Sequence, residues 1–332
     1  MLEHGGRLRR AARHYGIPIE DWLDLSTGIN PRGWPVPEPP RAVWLRLPEE
    51  GDGLEAAART YYGTQRLLAV AGSQAAIQAL PRLRNHARVS VLDPGYSEHA
   101  YAWRCAGHQV MSVTAEKLDG AVPVSDVLVL IHPNNPTGAR FSVDRLLAWL
   151  ARLDAHGGWL VIDEAFMDAT PEASLAPFCP RSGLILLRSL GKFFGLSGAR
   201  VGFVLAQPEL LKKLDRLLGP WTVSSPARWV AAKALADRDW QQDNRRYLAA
   251  AGERLGALLT RYGLPPDSGC GLFQWVRTPD AAQLQDRLAL RGILTRLFFE
   301  PASLRFGLPG TEVDWERLAA ALGSLRDPNL YQ

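Results

Sequence analysis

The chain has 332 residues, 47% of them hydrophobic and 22% charged, a balance that can bury a large core and excludes disordered and fibrous classes. A formal net charge of +4 is scattered rather than gathered into a basic run, so no nucleic-acid partner is expected and small anionic ligands fit better. Three widely spaced cysteines (Cys105, Cys179, Cys270), no CxxC pair, no apolar signal core at the start and no apolar stretch of roughly 18 residues predict a cytoplasmic protein without disulfides, bound metal or a membrane span.

In chain order, residues 1–45 read as an arm. NPRGWPVPEPP (30–40) is extended, because proline fixes φ and removes a donor. From Gly53 the pattern changes. LEAAARTYYG (54–63) predicts a helix, RLLAVAG (66–72) a short buried strand and SQAAIQALPRLR (73–84) a helix. RVSVLDPG (88–95) is strand then turn, SEHAYAWRCAG (97–107) helix and HQVMSVT (108–114) strand. DVLVLIHPNNPTG (126–138) is a buried strand entering a proline turn. SVDRLLAWLARLDAHGG (142–158) is a helix with Ser142 as N-cap and Gly157 as its stop. WLVIDEAF (159–166), LILLRSL (184–190) and FVLA (203–206) are strands. Helices are expected at 208–218 and 226–261. They are followed by strand GLFQWVRT (271–278), helix AAQLQDRLALRG (281–292), strands ILTRLFF and SLRFGL, and a last helix over 312–326.

Short apolar runs alternating with helix-length segments imply βαβ units and a mostly parallel sheet, an α/β class, with an α+β tail. In such sheets ligands sit at the carboxyl ends of the strands. That rule singles out DPGY, HPNNPTG, DEAF and SLGK, each of which directly follows an apolar run. There is no GxGxxG or GxxxxGK[ST], no GxSxG elbow and no His pair at metal spacing, which sets aside dinucleotide, P-loop, serine-hydrolase and metal chemistry.

Five of the 38 basic residues are lysines, and four of these keep ordinary polar company. The fifth, Lys192, sits among glycines and phenylalanines, flanked by Ser189 and Arg200. Asp163 ends the apolar run WLVID, where a carboxylate is costly unless it meets a cation. Each residue alone reads as an ordinary cap or surface charge. Jointly they ask for one ligand: an aldehyde for the lysine, a ring cation for the acid and a phosphate for Ser189 and Arg200. Pyridoxal phosphate has those three groups.

PNNPTG, DEAF and the Ser189–Lys192–Arg200 pattern, in this order, resemble the fold-type-I pyridoxal-phosphate enzymes of the class I/II aminotransferase family, from about Leu25 to the last helix. The resemblance implies a large cofactor domain over 46–235, with a mostly parallel sheet between helices. It also implies a smaller α+β domain built from 1–45 and 236–332. Lys192 would bond covalently to the cofactor aldehyde, Asp163 would keep the pyridine nitrogen protonated, Asn135 would contact the ring hydroxyl and Tyr96 would stack on the ring. Gly72, Ser73 and Gln74 would cradle the phosphate with backbone amides at a helix start, completed by Ser189 and Arg200. Tyr61 would reach the cofactor phosphate of a neighbouring subunit, making the active unit a homodimer. One departure is Phe166, where the family's aminotransferases usually carry tyrosine.

At the substrate end, Arg305 in SLRFGL matches the family arginine for the substrate carboxylate, and Arg296 in ILTRLFF adds a second cation. Histidinol-phosphate aminotransferases have a comparable pair, because their substrate is phosphorylated. The His4-Gly5-Gly6 start, LSTGINPRG (25–33), GPWTVSSPA (219–227) and DEAF together look like the threonine-phosphate decarboxylases of cobalamin biosynthesis. That resemblance implies decarboxylation of L-threonine O-3-phosphate to (R)-1-amino-2-propanol O-2-phosphate, with His4 and Asn30 helping Arg296 hold the substrate phosphate. The alternative is an aminotransferase on a phosphorylated amino donor such as histidinol phosphate. A ligand-sensing regulator of the same fold would be preceded by helix-turn-helix patterning, which residues 1–45 lack.

Overall fold

The computed structural model describes residues 4–325. The chain forms two compact units. The larger comprises Gly33–Asn135 and Arg140–Asn244; the smaller takes the chain up to Arg32, Pro136–Ala139 and the chain from Arg245 onward. Trp34 ties the segment after Gly33 into the larger unit. Its backbone N–H donates to the Phe194 carbonyl at 2.8 Å and its indole N–H to Asp237 Oδ2 at 2.9 Å.

The larger unit is organised by a seven-stranded sheet: β1 (Leu67–Val70), β2 (Arg88–Leu92), β3 (Gln109–Val113), β4 (Val127–Ile131), β5 (Trp159–Asp163), β6 (Leu184–Ser189) and β7 (Gly202–Leu205). The spatial order is β1-β7-β6-β5-β4-β2-β3. All neighbours are parallel except β7, which runs antiparallel to both β1 and β6. Every residue of β4 is buried, as expected of a parallel strand covered on both faces, where apolar runs replace alternation. One core cluster joins Val89, Val91, Val127, Val129, Val161, Ile185, Leu187 and Val204.

The helices form where the periodicity predicts them. Ser142 caps Val143–Asp154, its hydroxyl accepting from Arg145 N–H at 3.3 Å. The spacing of Leu146, Trp149, Leu150 and Leu153 buries one stripe of that helix. The stretch expected as one helix over 226–261 is two, Ser225–Ala236 and Arg238–Arg261. Asp237 parts them because its carboxylate is used twice, by Trp34 and by the N–H of Trp240 at 3.1 Å, as an N-cap would be.

The smaller unit holds a four-stranded antiparallel sheet of β8 (Ser268–Cys270), β9 (Phe273–Arg277), β10 (Arg296–Phe299) and β11 (Ala302–Gly307), in the order β10-β11-β9-β8. A short parallel pair, Leu23–Asp24 with Ile293–Leu294, brings the start of the chain to the same unit. Within the arm lies a helix that proline content did not suggest, Leu8–Tyr15, ended by Gly16 at φ 68°. It packs through Ala11 against Trp22 and Ala289. The last helix is described as Glu312–Ser324 and opens with a reciprocal cap between Thr311 and Asp314; residue 326, where it was expected to end, lies outside the described residues. No helix among the described residues is long and apolar enough to cross a membrane, no group of metal-ligating side chains occurs among them, and all three cysteines are free.

Gly202 opens β7 where a Cβ would lie 2.6 Å from Ser73 N and 2.7 Å from the Arg188 carbonyl oxygen. Gly202→Ala therefore has to push β7 off its neighbours and is expected to cost about 1–3 kcal/mol. A thermal melt of the variant matching the wild type would contradict this approach.

Candidate active site

The carboxyl ends of β1, β2, β4, β5 and β6 deliver Gly72, Tyr96, Asn135, Asp163 and the Ser189–Lys192 loop to one edge of the sheet. Asp163 is 4% exposed. Its Oδ1 accepts the N–H of Ala165 at 3.0 Å, and its Oδ2 lies 3.0 Å from Nε2 of His99, itself buried on the helix Ser97–Cys105. An Nε2–H there donates to the carboxylate. His99 escaped the sequence reading. The available signal was its position one helical turn after Tyr96, on the face Tyr96 presents.

Around this acid the turns are bonded to one another. The Asn134 amide donates to the Pro94 carbonyl at 2.8 Å, joining the HPNN and DPGY turns and leaving Asn135 half-buried beside them. The His132 N–H donates to the Asp163 carbonyl at 2.9 Å. The Tyr96 hydroxyl donates to Gln74 Oε1 at 3.2 Å, and burial pushes its pKa up to about 12, so it stays a phenol. Gln74 in turn donates to Glu98 at 3.0 Å.

Ser189 Oγ accepts the N–H of Gly191 at 3.2 Å, and the loop turns back on itself through the Gly195 N–H to the Lys192 carbonyl at 3.2 Å. Phe193 and Phe194 are fully buried and anchor that loop, while Lys192 is half-buried with Nζ 5.4 Å from the Phe166 ring centroid. Arg200 takes a left-handed φ of 53° and donates to the Ser197 carbonyl at 3.0 Å. Its guanidinium lies against Gly72, φ 73°, where a Cβ would come within 2.7 Å of Nη2. Only glycine admits both that conformation and that approach. Ser73 starts the helix Ser73–Ala79 there, so the first turn of that helix lies next to a guanidinium.

These residues fit pyridoxal phosphate. A buried carboxylate held by donors suits a ring cation, an amine on a glycine-rich loop suits an aldehyde, and a cradle of backbone amides with a guanidinium suits a phosphate. Tyr61 lies in the same unit, with its hydroxyl donating to Asp168 Oδ1 at 3.1 Å.

The smaller unit holds the second cluster. Arg296 on β10 and Arg305 on β11 are direct cross-strand partners, so both side chains leave the same face of the sheet. Arg305 is 5% exposed, and its Nη2 donates to the Ser26 carbonyl at 2.7 Å. Burial, reinforced by the like charge of Arg296, draws its pKa from 12.5 down to about 10, which still leaves a cation at neutral pH. Two cations facing each other across strands repel, and an anion relieves them. The arm meets this cluster at Ser26, whose hydroxyl accepts the Gly6 N–H at 2.7 Å; His4, two residues before Gly6, is half-buried. Asn30 is 2% exposed, and its amide is engaged with its own loop, donating to the Arg32 carbonyl at 2.8 Å and accepting the Arg32 N–H at 2.9 Å. These bonds shape the turn.

A profile of the class I and II aminotransferases matches residues 51–322. The chain belongs to that family. It is 57% identical over 328 residues to a protein of Pseudomonas aeruginosa named threonine-phosphate decarboxylase, covering 99% of each chain. It is 42% identical to a protein of the same name from Sinorhizobium sp, covering 98% of each. Among solved structures, a histidinol-phosphate aminotransferase from Sinorhizobium meliloti in complex with pyridoxal 5'-phosphate superposes with a TM-score of 0.81 at 24% identity, covering 98% of this chain and 96% of that one. That likeness shows the fold-type-I aminotransferase fold.

His132, fully buried at the end of β4, accepts the Phe141 N–H at 3.0 Å through Nε2. Burial, with the charge of Arg140, lowers its pKa from 6.5 to about 4. The unfolded chain therefore binds a proton that the folded one refuses. Stability is complete above pH 6.5 and falls as the pH drops toward 4, by up to about 3 kcal/mol. His132→Gln, which can still accept from Phe141, is expected to flatten this loss in denaturant melts at pH 7.5 and 4.5. Equal acid losses in the two proteins would contradict the assignment.

Proposed function

We propose that the chain decarboxylates L-threonine O-3-phosphate to (R)-1-amino-2-propanol O-2-phosphate, with pyridoxal phosphate as cofactor, as a cytoplasmic homodimer serving cobalamin biosynthesis. The observation that carries this reading is the 57% identity, over 99% of both chains, to a protein named for that reaction. The facing pair Arg296 and Arg305 supports it chemically, since the substrate carries both a carboxylate and a phosphate.

Bound pyridoxal phosphate supplies a protonated ring that takes up the electron pair left when the bond from Cα to the carboxylate breaks. Asp163, with His99 and the Ala165 N–H fixing both its oxygens, holds the proton on the ring nitrogen. Tyr96 stacks on the ring and Asn135 orients its hydroxyl. Gly72, Ser73, Gln74, Ser189 and Arg200 bind the phosphate, joined by Tyr61 from the neighbouring subunit. Arg305 binds the substrate carboxylate and sets the direction of the breaking bond. Arg296 binds the substrate phosphate, helped by His4 and Asn30 from the arm. Lys192 would hold the cofactor through its aldehyde, and its amine would be the group placed to return a proton to the substrate Cα.

Incubation with L-threonine O-3-phosphate is expected to release one CO2 per substrate without any 2-oxo acid. Ketone formation that requires 2-oxoglutarate would instead make the chain an aminotransferase on a phosphorylated donor such as histidinol phosphate. Lys192→Ala should fold and lose turnover. Arg296→Ala should raise KM for the phosphorylated substrate by about tenfold or more, the worth of one charge-assisted contact, and an unchanged KM would remove Arg296 from the substrate site.

A further inference from the structure

Behind the cofactor-facing edge of the larger unit lies a buried ionic cluster with no part in the chemistry described so far. Arg188, on β6, is 2% exposed, and Glu164 and Asp168 are fully buried. Nη1 of Arg188 donates to Glu164 Oε2 and Nη2 to Asp168 Oδ1. Nη1 also reaches Ser174 Oγ at 3.2 Å. Ser174 Oγ donates to Glu164 Oε2 at 2.6 Å, and the Leu175 N–H donates to Glu164 Oε1 at 2.9 Å. The guanidinium carbon lies 4.7 Å above the Tyr62 ring. Burial alone would weaken the guanidinium's hold on its proton, but Asp168 and Glu164 outweigh it and raise the Arg188 pKa well above the ordinary value.

Such a cluster is a poor source of stability. Each buried ion loses several kcal/mol of hydration, and apolar residues of similar volume would pack at least as well. What an ion network offers beyond an apolar plug is direction: each bond fixes an angle and a register. The positions of its members show what is being fixed. Glu164 follows Asp163, and Arg188 precedes Ser189. Successive side chains of a strand point to opposite faces, so each of these cofactor-side groups has a member of the network behind it. The Glu164 N–H bonds the Leu187 carbonyl at 2.9 Å, holding the ends of β5 and β6 in one register. Asp168 closes the turn that carries Phe166, the ring under Lys192, and accepts from the Tyr61 hydroxyl.

We propose that Arg188, through Glu164 and Asp168, is a positioning residue that sets the spacing of Asp163 from the Ser189–Lys192 loop, and so the fit of the cofactor ring and phosphate held between them. This rests on the cofactor roles assigned above, but not on which substrate is decarboxylated.

The test uses the holoenzyme and two variants. Glu164→Gln/Asp168→Asn/Arg188→Met removes all three charges together and leaves no buried ion unpaired. Arg188→Lys keeps the charge but loses the two-pronged bonding to both carboxylates. In each folded variant the thermal midpoint before cofactor loss should stay near that of the wild type. The rate at which pyridoxal phosphate leaves the holoenzyme in cofactor-free buffer, followed by its visible absorbance, should rise about tenfold or more, the usual effect of removing a group that orients a ligand. kcat should fall with little change in KM. If the triple variant does not fold, Arg188→Lys alone decides by the same readings. Cofactor release and kcat at wild-type values in a folded variant overturn the proposal, and so does a lowered melting point with unchanged cofactor release, because the network would then serve the core alone. If the protein proves to be an aminotransferase, the cofactor-release reading still stands or falls by itself.

Discussion

A negative charge at the end of a buried strand is the constraint on which the catalytic edge of the larger unit depends. Asp163 closes an apolar run whose Leu160, Val161 and Ile162 are among the most buried residues of the chain. A carboxylate there must be surrounded by donors or lose several kcal/mol. The structure supplies them from three directions: the chain's own next turn through Ala165, the following helix through His99, and, in the proposed holoenzyme, the ring cation of the cofactor. The arrangement explains why the neighbouring turns are bonded to each other rather than left as open loops. A loop free to move would let water reach the acid, and water would take over the role of the ring nitrogen as its partner.

The smaller unit poses the opposite problem and answers it with the same physics. Arg296 and Arg305 face each other across a strand pair, an arrangement that is unfavourable by itself. Arg305 is the more deeply buried and shows the strain as a pKa lowered to about 10. The Ser26 carbonyl takes one of its N–H groups, and the arm is clamped to that same residue by the Gly6 N–H. The arm is therefore part of the cation's surroundings. A substrate with two anionic groups would turn the repulsion into attraction, which would favour a phosphorylated amino acid over its parent.

Much of this was legible in the sequence because chemistry that depends on one residue type leaves a motif. The glycine at position 72, the acid after WLVI and the lone lysine among glycines each have no ordinary substitute, and strand-end placement followed from the alternation of apolar runs with helices. What stayed hidden was chemistry shared between segments distant in sequence. His99 carried no motif to set it apart, and neither did Arg188, Glu164 and Asp168, because a sequence shows charge and not burial. Asn30, placed in the arm by the sequence, is bonded to Arg32 through both ends of its amide, a turn that the sequence order alone did not show. The break at Asp237 was invisible for the same reason: it depends on Trp34, some two hundred residues away in the chain but bonded to it.

The scarcity of lysine acquires a physical meaning in this setting. Fixed positive charge is needed in several places: beside the phosphate cradle at Arg200, in the buried network at Arg188, and across the strand pair at Arg296 and Arg305. A guanidinium serves all of them because it keeps its charge when buried and offers several donors in one plane. Burial lowers Arg305 to about 10 and still leaves it charged; an ammonium with the same loss would fall to about 8, partly deprotonate near physiological pH and hold an anion less firmly. The task that arginine cannot perform is to lose its proton, bond to a carbonyl carbon and later give a proton back. In the proposed reaction that task falls to Lys192, which stands on the glycine-rich loop with Nζ 5.4 Å from the Phe166 ring centroid.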